Sequence, residues 1–335
     1  MSGNAKKLMM ASASGGAGGS YIAVVSDGGG DGFTLLDHTT PGSVSLATTY
    51  NLGPAYGVSF SPDNNYIAVG RGSSPFLTLL DHSTPGSVSL ATTYNLPSFT
   101  LGVSFSPDGN YIACAHYGSP FFTLLDHTTP GTLSLAATYT FPNFGFDTAF
   151  SPDGDYIAVA YFGSPFFTLL DHTTPGSVSL AATYTFTDTV AGVAFSPDGD
   201  YIAVAHQAAP RFTLLDHTTP GSVSLAATYT IAGPSGAQSV SFSPDGNYIA
   251  VGHLTSPYFT LLDHTTPGSV SLADTYTTSA TGYGVAFSPD GNYIGAATAV
   301  SPYFTLLDHT TPGSVSLADT YNIGSQSRSV AFSPL

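Results

Sequence analysis

A ten-residue motif, Phe-Thr-Leu-Leu-Asp-His-Thr-Thr-Pro-Gly, recurs seven times with almost no change along this chain of 335 residues. Its Asp-His pairs lie at Asp37-His38, Asp81-His82, Asp126-His127, Asp171-His172, Asp216-His217, Asp263-His264 and Asp308-His309. Successive pairs are separated by 44, 45, 45, 45, 47 and 45 residues. A period of about 40–45 residues built from short strands is typical of four-stranded propeller blades. The repeat therefore predicts an all-β, seven-bladed β-propeller with four antiparallel strands in each blade.

The composition supports an all-β chain and excludes two classes of function. Charged residues make up 8% of the chain, and Glu is absent, whereas soluble domains usually contain about 25% charged residues. Helix-favouring charged side chains are therefore scarce, while Gly, Pro, Thr, Tyr and Phe are abundant. With a net charge of −16, the chain cannot neutralise many phosphates, so we expect no nucleic-acid partner. No apolar run is long enough for a transmembrane helix, so we expect no membrane insertion.

The repeat at residues 148–184 illustrates the strands and turns of one blade. We predict strands a, b, c and d at 148–150, 156–160, 166–170 and 177–184. Ser151-Pro152-Asp153-Gly154 favours a tight hairpin between strands a and b, because Pro suits the second turn position and Gly accepts a positive φ. Thr174-Pro175-Gly176-Ser177 suits a type II turn between strands c and d.

The two ends of the repeat array predict how the ring closes. The first repeat opens at Tyr21 with a b strand and lacks an a strand, whereas Val330-Ala331-Phe332 forms an a strand with no successors. The C-terminal strand can therefore complete the N-terminal blade and remove the exposed sheet edges. We predict a propeller over 21–335, preceded by an N-terminal arm at 1–20 that is flexible or docked on a neighbour.

The hairpin motif carries a resemblance to known families. Ser106-Pro107-Asp108-Gly109-Asn110-Tyr111-Ile112-Ala113 and its copies resemble the a–b hairpin of WD-repeat and lactonase-type propellers, and Leu170-Asp171 lies where WD repeats carry Trp-Asp. The near-identical blades also loosely resemble propeller proteins of bacteriophage tails or virions. The resemblance implies a fold rather than an activity. The chain departs from WD repeats because it has no Trp and lacks the Gly-His pair that opens many WD repeats.

Comparison of the seven copies indicates where a ligand would bind. The a–b and c–d turns barely change, whereas the b–c and d–a loops vary, and in an up-and-down blade these two variable loops share one face. We call it the variable face. Drift of tolerant loops would produce the same pattern. The candidate ligand-binding residues on or beside this face are Tyr56, Arg71, Phe99, His116, Tyr117, Phe144, Phe146, Phe162, His206, Arg211, His253, Tyr283 and Arg328.

The residues of the chain suggest no metal or cofactor. The seven repeated histidines are expected to lie roughly 10 Å or more apart in successive blades, too far for one Zn²⁺ ion with bonds of about 2 Å. We therefore expect them to be structural. Cys114, the only cysteine, stands where other repeats have Val, which indicates a small core residue. The segment Asp27-Gly28-Gly29-Gly30-Asp31 lacks the spacing of a Ca²⁺ loop.

These observations favour a non-enzymatic binding or structural propeller, in a virion or surface assembly, that recognises a glycan or protein through the variable face. In this hypothesis the aromatic residues stack on sugar or fill partner pockets, and the N-terminal arm contacts assembly neighbours. One alternative is a lactonase-like or other hydrolase with a site at the mouth of the central channel. Another alternative is a purely architectural subunit of a shell or fibre.

Overall fold

The structure, a computed structural model, describes residues 21–28 and 30–335, so the predicted N-terminal arm lies outside the described residues. The described chain forms seven four-stranded antiparallel sheets and contains no helix able to span a membrane. This architecture confirms the predicted all-β, seven-bladed propeller. We number the blades from one to seven in chain order, and blade one contains Tyr21.

Strand a is the innermost strand of each blade and strand b is its neighbour. From blade one to blade seven, the a strands are β28 (Ser327–Phe332), β4 (Ala55–Phe60), β8 (Thr100–Phe105), β12 (Gly145–Phe150), β16 (Val190–Phe195), β20 (Ala237–Phe242) and β24 (Gly282–Phe287). In the same order, the b strands are β1 (Tyr21–Ser26), β5 (Tyr66–Arg71), β9 (Tyr111–His116), β13 (Tyr156–Tyr161), β17 (Tyr201–His206), β21 (Tyr248–His253) and β25 (Tyr293–Thr298).

Strands c and d form the outer half of each blade. The c strands are β2 (Gly32–Asp37), β6 (Phe76–Asp81), β10 (Phe121–Asp126), β14 (Phe166–Asp171), β18 (Arg211–Asp216), β22 (Tyr258–Asp263) and β26 (Tyr303–Asp308). The d strands are β3 (Ser45–Asn51), β7 (Ser89–Asn95), β11 (Ser134–Thr140), β15 (Ser179–Thr185), β19 (Ser224–Thr230), β23 (Ser271–Thr277) and β27 (Ser316–Asn322). The predicted a strand at 148–150 was too short, since β12 already begins at Gly145. The sequence did not reveal the shift of pairing register between Gly145 and Asp147 in this strand.

Ring closure occurs as predicted. β28 pairs with β1 in the register Ile22↔Phe332 and Val24↔Val330. The Tyr21 N–H donates to Ser333 Oγ at 2.9 Å, and the Ser333 N–H donates to the Tyr21 carbonyl at 2.8 Å. The last strand therefore supplies blade one with its inner strand and leaves β1 without a free edge.

The predicted turns have the expected geometry. The Gly154 N–H donates to the Ser151 carbonyl at 2.9 Å with φ 80° at Gly154, and the Ser177 N–H donates to the Thr174 carbonyl at 3.0 Å with φ 74° at Gly176. These positive φ values are in the left-handed region that glycine tolerates without strain.

The repeated Asp-His pairs join turns and blades. His172 Nδ1 lies 2.8 Å from the Gly154 carbonyl, and its Nε2 accepts the Gly176 N–H at 3.3 Å. Because a carbonyl can only accept, Nδ1 carries the proton. The ring also packs edge-on against Tyr111 of the preceding blade, with centroids 5.0 Å apart. These contacts give the repeated histidines the structural role expected from the sequence.

Candidate functional site

A β-bulge lies near the beginning of every inner strand. In blade two, Ala55 pairs with Arg71 and Gly57 pairs with Gly70, so Tyr56 has no partner on strand b. The same irregularity occurs in the other six blades. A bulge leaves one residue unpaired and redirects its side chain. Each blade therefore presents one bulged side chain near the entrance of the central channel on the variable face.

The seven bulged residues meet in one cavity of about 310 Å³. They differ almost completely from one another, and in order from blade one to blade seven they are Arg328, Tyr56, Leu101, Phe146, Ala191, Gln238 and Tyr283. Tyr117 from a b–c loop lines the same cavity, as do Asp147, Ser239, Gly284 and Ser329 from the third positions of inner strands. The sevenfold scaffold thus encloses an asymmetric site, and a cavity of this size is at the lower end of the range for small-molecule pockets.

The cavity has an apolar side and a polar side. Blades three, four and five supply Leu101, Phe146 and Ala191 as consecutive apolar residues. Blades six, seven and one supply the hydrogen-bonding side chains of Gln238, Ser239, Tyr283, Arg328 and Ser329. A ligand that fills this cavity therefore meets mainly apolar side chains from blades three to five and hydrogen-bonding groups from blades six, seven and one, and Asp147 of blade four adds a carboxyl group on the apolar side.

Asp147 is the carboxylate of this cavity. Its Oδ1 accepts the Thr148 N–H at 2.9 Å, and its Oδ2 accepts the Val193 N–H of the next blade at 3.1 Å. Burial raises the pKa of Asp147 to about 7, because loss of hydration outweighs the two backbone hydrogen bonds that favour the carboxylate. A carboxyl group with this pKa accepts and returns protons near neutral pH, as a general base or acid requires.

Asp147 occupies the third position of its inner strand, where the residue lies close to the inner strand of the next blade. In blades two and three this residue is glycine, and a Cβ on Gly57 would lie 2.3 Å from the Leu101 carbonyl oxygen of the next inner strand. Blade six has Ser239 there, and its Oγ accepts the Val285 N–H of the next blade at 3.1 Å. Asp147 makes the equivalent bond between blades, and it adds a carboxyl group that faces the cavity.

Arg328 is held in place on the opposite part of the ring. Its Nε donates to Asp27 Oδ2 at 2.6 Å, and its Nη2 forms an ion pair with the same carboxylate. The guanidinium carbon lies 4.4 Å from the centroid of the Tyr283 ring, which is a cation–π contact. Asp27 therefore compensates the charge of Arg328, whose remaining N–H groups are donors for a ligand.

The predicted binding residues fall into three groups. Tyr56, Tyr117, Phe146, Tyr283 and Arg328 line the cavity. Phe99, Phe144 and Phe162 lie beside it in an aromatic cluster with Tyr117. The other five are Arg71, His116, His206, Arg211 and His253, which do not line it.

The residues of the third group form hydrogen bonds with nearby strands and loops rather than with the cavity. His116, His206 and His253 are buried, and the Nε2 of each lies 2.9 to 3.0 Å from a threonine hydroxyl. Burial lowers the pKa of each of these histidines to about 4. Arg71 and Arg211 donate to the carbonyls of Leu52 and Ile231. Their side chains therefore stabilise loops and strand ends.

Sequence reasoning missed the other residues that line the cavity, which are Leu101, Asp147, Ala191, Gln238, Ser239, Gly284 and Ser329. For Leu101, Ala191 and Gln238 the signal was the position two residues before the Val or Thr of each inner strand, which differs between blades. For Asp147 it was the position one residue before, which is glycine or serine in the other blades. Strand alternation alone does not predict the bulged side chain to face the channel, because the bulge shifts its direction.

Within the described residues, no group of three or more His, Cys, Asp or Glu side chains is arranged to hold a metal ion. The Asp27 carboxylate, which belongs to the glycine-rich segment considered as a cation loop, binds Arg328 instead.

No protein-family model matches the sequence, and a search of curated proteins finds no relative. Solved structures do share the fold. A periplasmic gluconolactonase from Pseudomonas aeruginosa is 17% identical with a TM-score of 0.80, and the match covers 94% of this chain and 99% of that one. A putative 6-phosphogluconolactonase from Bacteroides uniformis is 16% identical with a TM-score of 0.82, with the same coverage. The Swd1 propeller domain of Myceliophteria thermophila is 15% identical with a TM-score of 0.66, and the match covers 82% and 88%.

These comparisons correct two predictions made from the sequence. The chain was predicted to be a non-enzymatic binding or structural propeller of a virion or surface assembly, and not to be an enzyme. Both predictions are contradicted by neighbours that are named as lactonases and that cover nearly the whole chain. The error arose because near-identical blades were assumed to offer few unlike residues to a common site, whereas the seven bulged positions carry six different residue types.

Proposed function

We propose that this protein hydrolyses lactones in the cavity at the mouth of its central channel. The observation that carries the proposal is that seven bulged side chains of six types line one cavity with a carboxyl group, Asp147, whose pKa is raised to about 7. Enzyme sites combine concavity, convergent polar groups and a titratable group with a perturbed pKa. The lactonase names of the structural neighbours support the choice of reaction.

Asp147 is the proposed general base. Its carboxylate removes a proton from a water molecule while the water oxygen forms a bond with the lactone carbonyl carbon. The ring C–O bond then breaks, and the leaving oxygen takes the proton from the Asp147 carboxyl group, which yields the open-chain hydroxy acid. Donors of the polar side, Gln238 and Arg328, stabilise the negative charge that develops on the carbonyl oxygen.

The charge of the cavity favours a neutral lactone over a phosphorylated one. Arg328 is the arginine of the cavity lining, and Asp27 already compensates its charge. Arg71 and Arg211 are bonded to carbonyls elsewhere in the described chain. A phosphate ester would place a charge of about −1.5 to −2 beside Asp147 without a compensating cation among the described residues.

The test compares three proteins on δ-valerolactone and δ-gluconolactone, with acid release followed by pH-stat titration. Asp147→Ser retains a side chain able to accept the Val193 N–H, as Ser239 does for Val285, but it cannot act as a base. We expect this variant to lose roughly 10²- to 10⁴-fold in kcat, the usual contribution of general-base catalysis. Asp188→Asn, an exposed variable-face position outside the cavity lining, is the matched control.

Two results would refute the proposal. One is a wild-type rate no higher than that of the uncatalysed reaction for every lactone tested. The other is an Asp147→Ser variant that is as active as the wild type. Asp147 would then have only a structural role, which is to accept the Val193 N–H of the next blade. If the proposal is correct, the wild-type rate rises with pH and levels off above about pH 7, since the base must be deprotonated.

Other predictions from the sequence have not been tested. The finer likeness to WD-repeat or bacteriophage propellers stays a prediction. The assembly neighbour of the N-terminal arm and the protein partner on the variable face also stay predictions.

A further inference from the structure

Four aromatic side chains form a continuous row on the variable face. Tyr117 and Phe144 are stacked with ring centroids 4.0 Å apart and planes 9° apart. Phe144 and Phe162 are also parallel, 5.2 Å apart with planes at 6°. Phe99 extends the row on the other side of Tyr117, at 6.2 Å. We call Phe99, Tyr117, Phe144 and Phe162 the aromatic row.

Three of the four side chains in the aromatic row are exposed to solvent. Phe99 keeps 44% of its surface accessible, Tyr117 41% and Phe162 42%. Large aromatic side chains contribute most when they are buried, and a contiguous exposed group of them usually marks an interaction site. The b–c loops of blades two, five, six and seven have Gly72, Gln207, Leu254 and Ala299 at the positions of Tyr117 and Phe162. The row is therefore specific to one side of the propeller.

The aromatic row continues the apolar side of the cavity. Tyr117 belongs both to the row and to the cavity lining. Phe146, the bulged residue of blade four, meets Phe144 edge-on with centroids 5.2 Å apart. An apolar path therefore leads from Leu101 and Phe146 inside the cavity, past Tyr117, to the exposed rings outside it.

We propose, on the basis of the lactone hydrolase function above, that the substrate is a lactone with an alkyl side chain. The lactone ring occupies the cavity between Asp147 of blade four and the donors of the polar side, with its carbonyl oxygen toward those donors. The alkyl chain leaves across Leu101 and Phe146 and lies along the aromatic row.

The chemistry of the path selects an alkyl chain. A polyhydroxylated substituent would place hydroxyl groups against Leu101, Phe146 and Ala191, and a buried hydroxyl without a partner is costly. An aryl substituent would stack on a free ring face, but Tyr117 and Phe162 already stack against Phe144, so the ring at the centre of the row offers none. The ring edges remain available, and methylene groups gain from contact with them without hydrogen bonds.

The experiment compares δ-valerolactone, which has no side chain, with δ-dodecalactone, which has a long alkyl chain. In the wild type we expect kcat/KM to be roughly tenfold higher for δ-dodecalactone, since about two buried methylene groups account for that ratio. Phe162→Ala is expected to lower the preference several-fold, mainly through KM. The matched control is Leu254→Ala, at the same loop position in blade six, and it should keep the preference.

A binding measurement separates this proposal from the hydrolase function. Dissociation constants of both lactones are measured by calorimetry on Asp147→Ser, a protein that should bind without turnover, with and without Phe162→Ala. Tighter binding of δ-dodecalactone that depends on Phe162 supports the alkyl-lactone proposal even if no lactone is hydrolysed, in which case only the hydrolase function fails. Equal dissociation constants for the two lactones, or a preference unchanged by Phe162→Ala, would overturn the alkyl-lactone proposal while hydrolysis could still stand.

Discussion

Asp147 should make the stability of this protein fall as pH rises, and the effect can be worked out from its surroundings. The carboxyl lies on an inner strand, and burial raises its pKa from 3.8 to about 7. In the unfolded chain the group ionises at its ordinary pKa. The folded state therefore holds a proton that the unfolded state has released between about pH 4 and pH 7.

The sign and size follow from linkage. Below about pH 4 both states are protonated and the contribution of Asp147 is fully present. It is lost progressively as pH rises to the folded pKa of about 7. The difference between a pKa of 3.8 and one of about 7 corresponds to about 4 kcal/mol of unfolding free energy. Because Asp147 is only partly buried and keeps accessible surface in the channel, solvent screening reduces this value, and we expect about 2 to 4 kcal/mol.

The assay is urea unfolding of the wild type and Asp147→Ser at several values between about pH 4 and pH 8. The variant keeps an acceptor for the Val193 N–H, and all other titrations are common to both proteins and cancel in the difference. We expect the variant to gain stability relative to the wild type as pH rises, with similar denaturant dependence in the two proteins. Parallel pH profiles would show that Asp147 ionises normally in the fold and would remove the physical basis of its proposed catalytic role.

Two further predictions concern closure and the histidine ring. Deletion of residues 327–335 removes β28 and uncovers the β1 edge, so we expect the truncated protein to aggregate and to lose cooperative melting. Ser333→Ala, which removes one hydrogen bond of the closure, should lower the free energy of unfolding by only about 1 kcal/mol. A truncated protein that melts like the full chain would refute the closure argument. Burial lowers the pKa of His82, so the unfolded state binds the extra proton below about pH 6.5 and the stability contribution of His82 is lost as pH falls. His82→Gln should therefore lose less stability than the wild type between about pH 7 and pH 5 in thermal melts, and identical losses would contradict this.

The candidate site was only partly predictable. Tyr56, Tyr117, Phe146, Tyr283 and Arg328 were identified because they lie in variable loops or at their ends, and they line the cavity. His116 and His253 vary among the copies in the same way, yet they are buried against threonine hydroxyls. Variation between repeats therefore identified the face of the propeller, but it did not distinguish a residue that faces the channel from one that faces the core.

Asp147 shows what repeat comparison could not supply. Its position is glycine in four blades and serine in two, so the sequence marks it as exceptional. Its raised pKa, however, depends on burial among inner strands from other blades. Desolvation is a property of the assembled ring, and no local pattern encodes it.

The number of blades, the turn types, the closing strand and the face that carries the variable loops follow from the amino-acid sequence alone. Strand period and turn preference are local properties, and seven repetitions make them unambiguous. The tertiary structure alone decided which side chains meet. One unpaired residue near the start of each inner strand turns a side chain into the channel, and ring closure brings residues as distant in sequence as Tyr56 and Arg328 into one cavity.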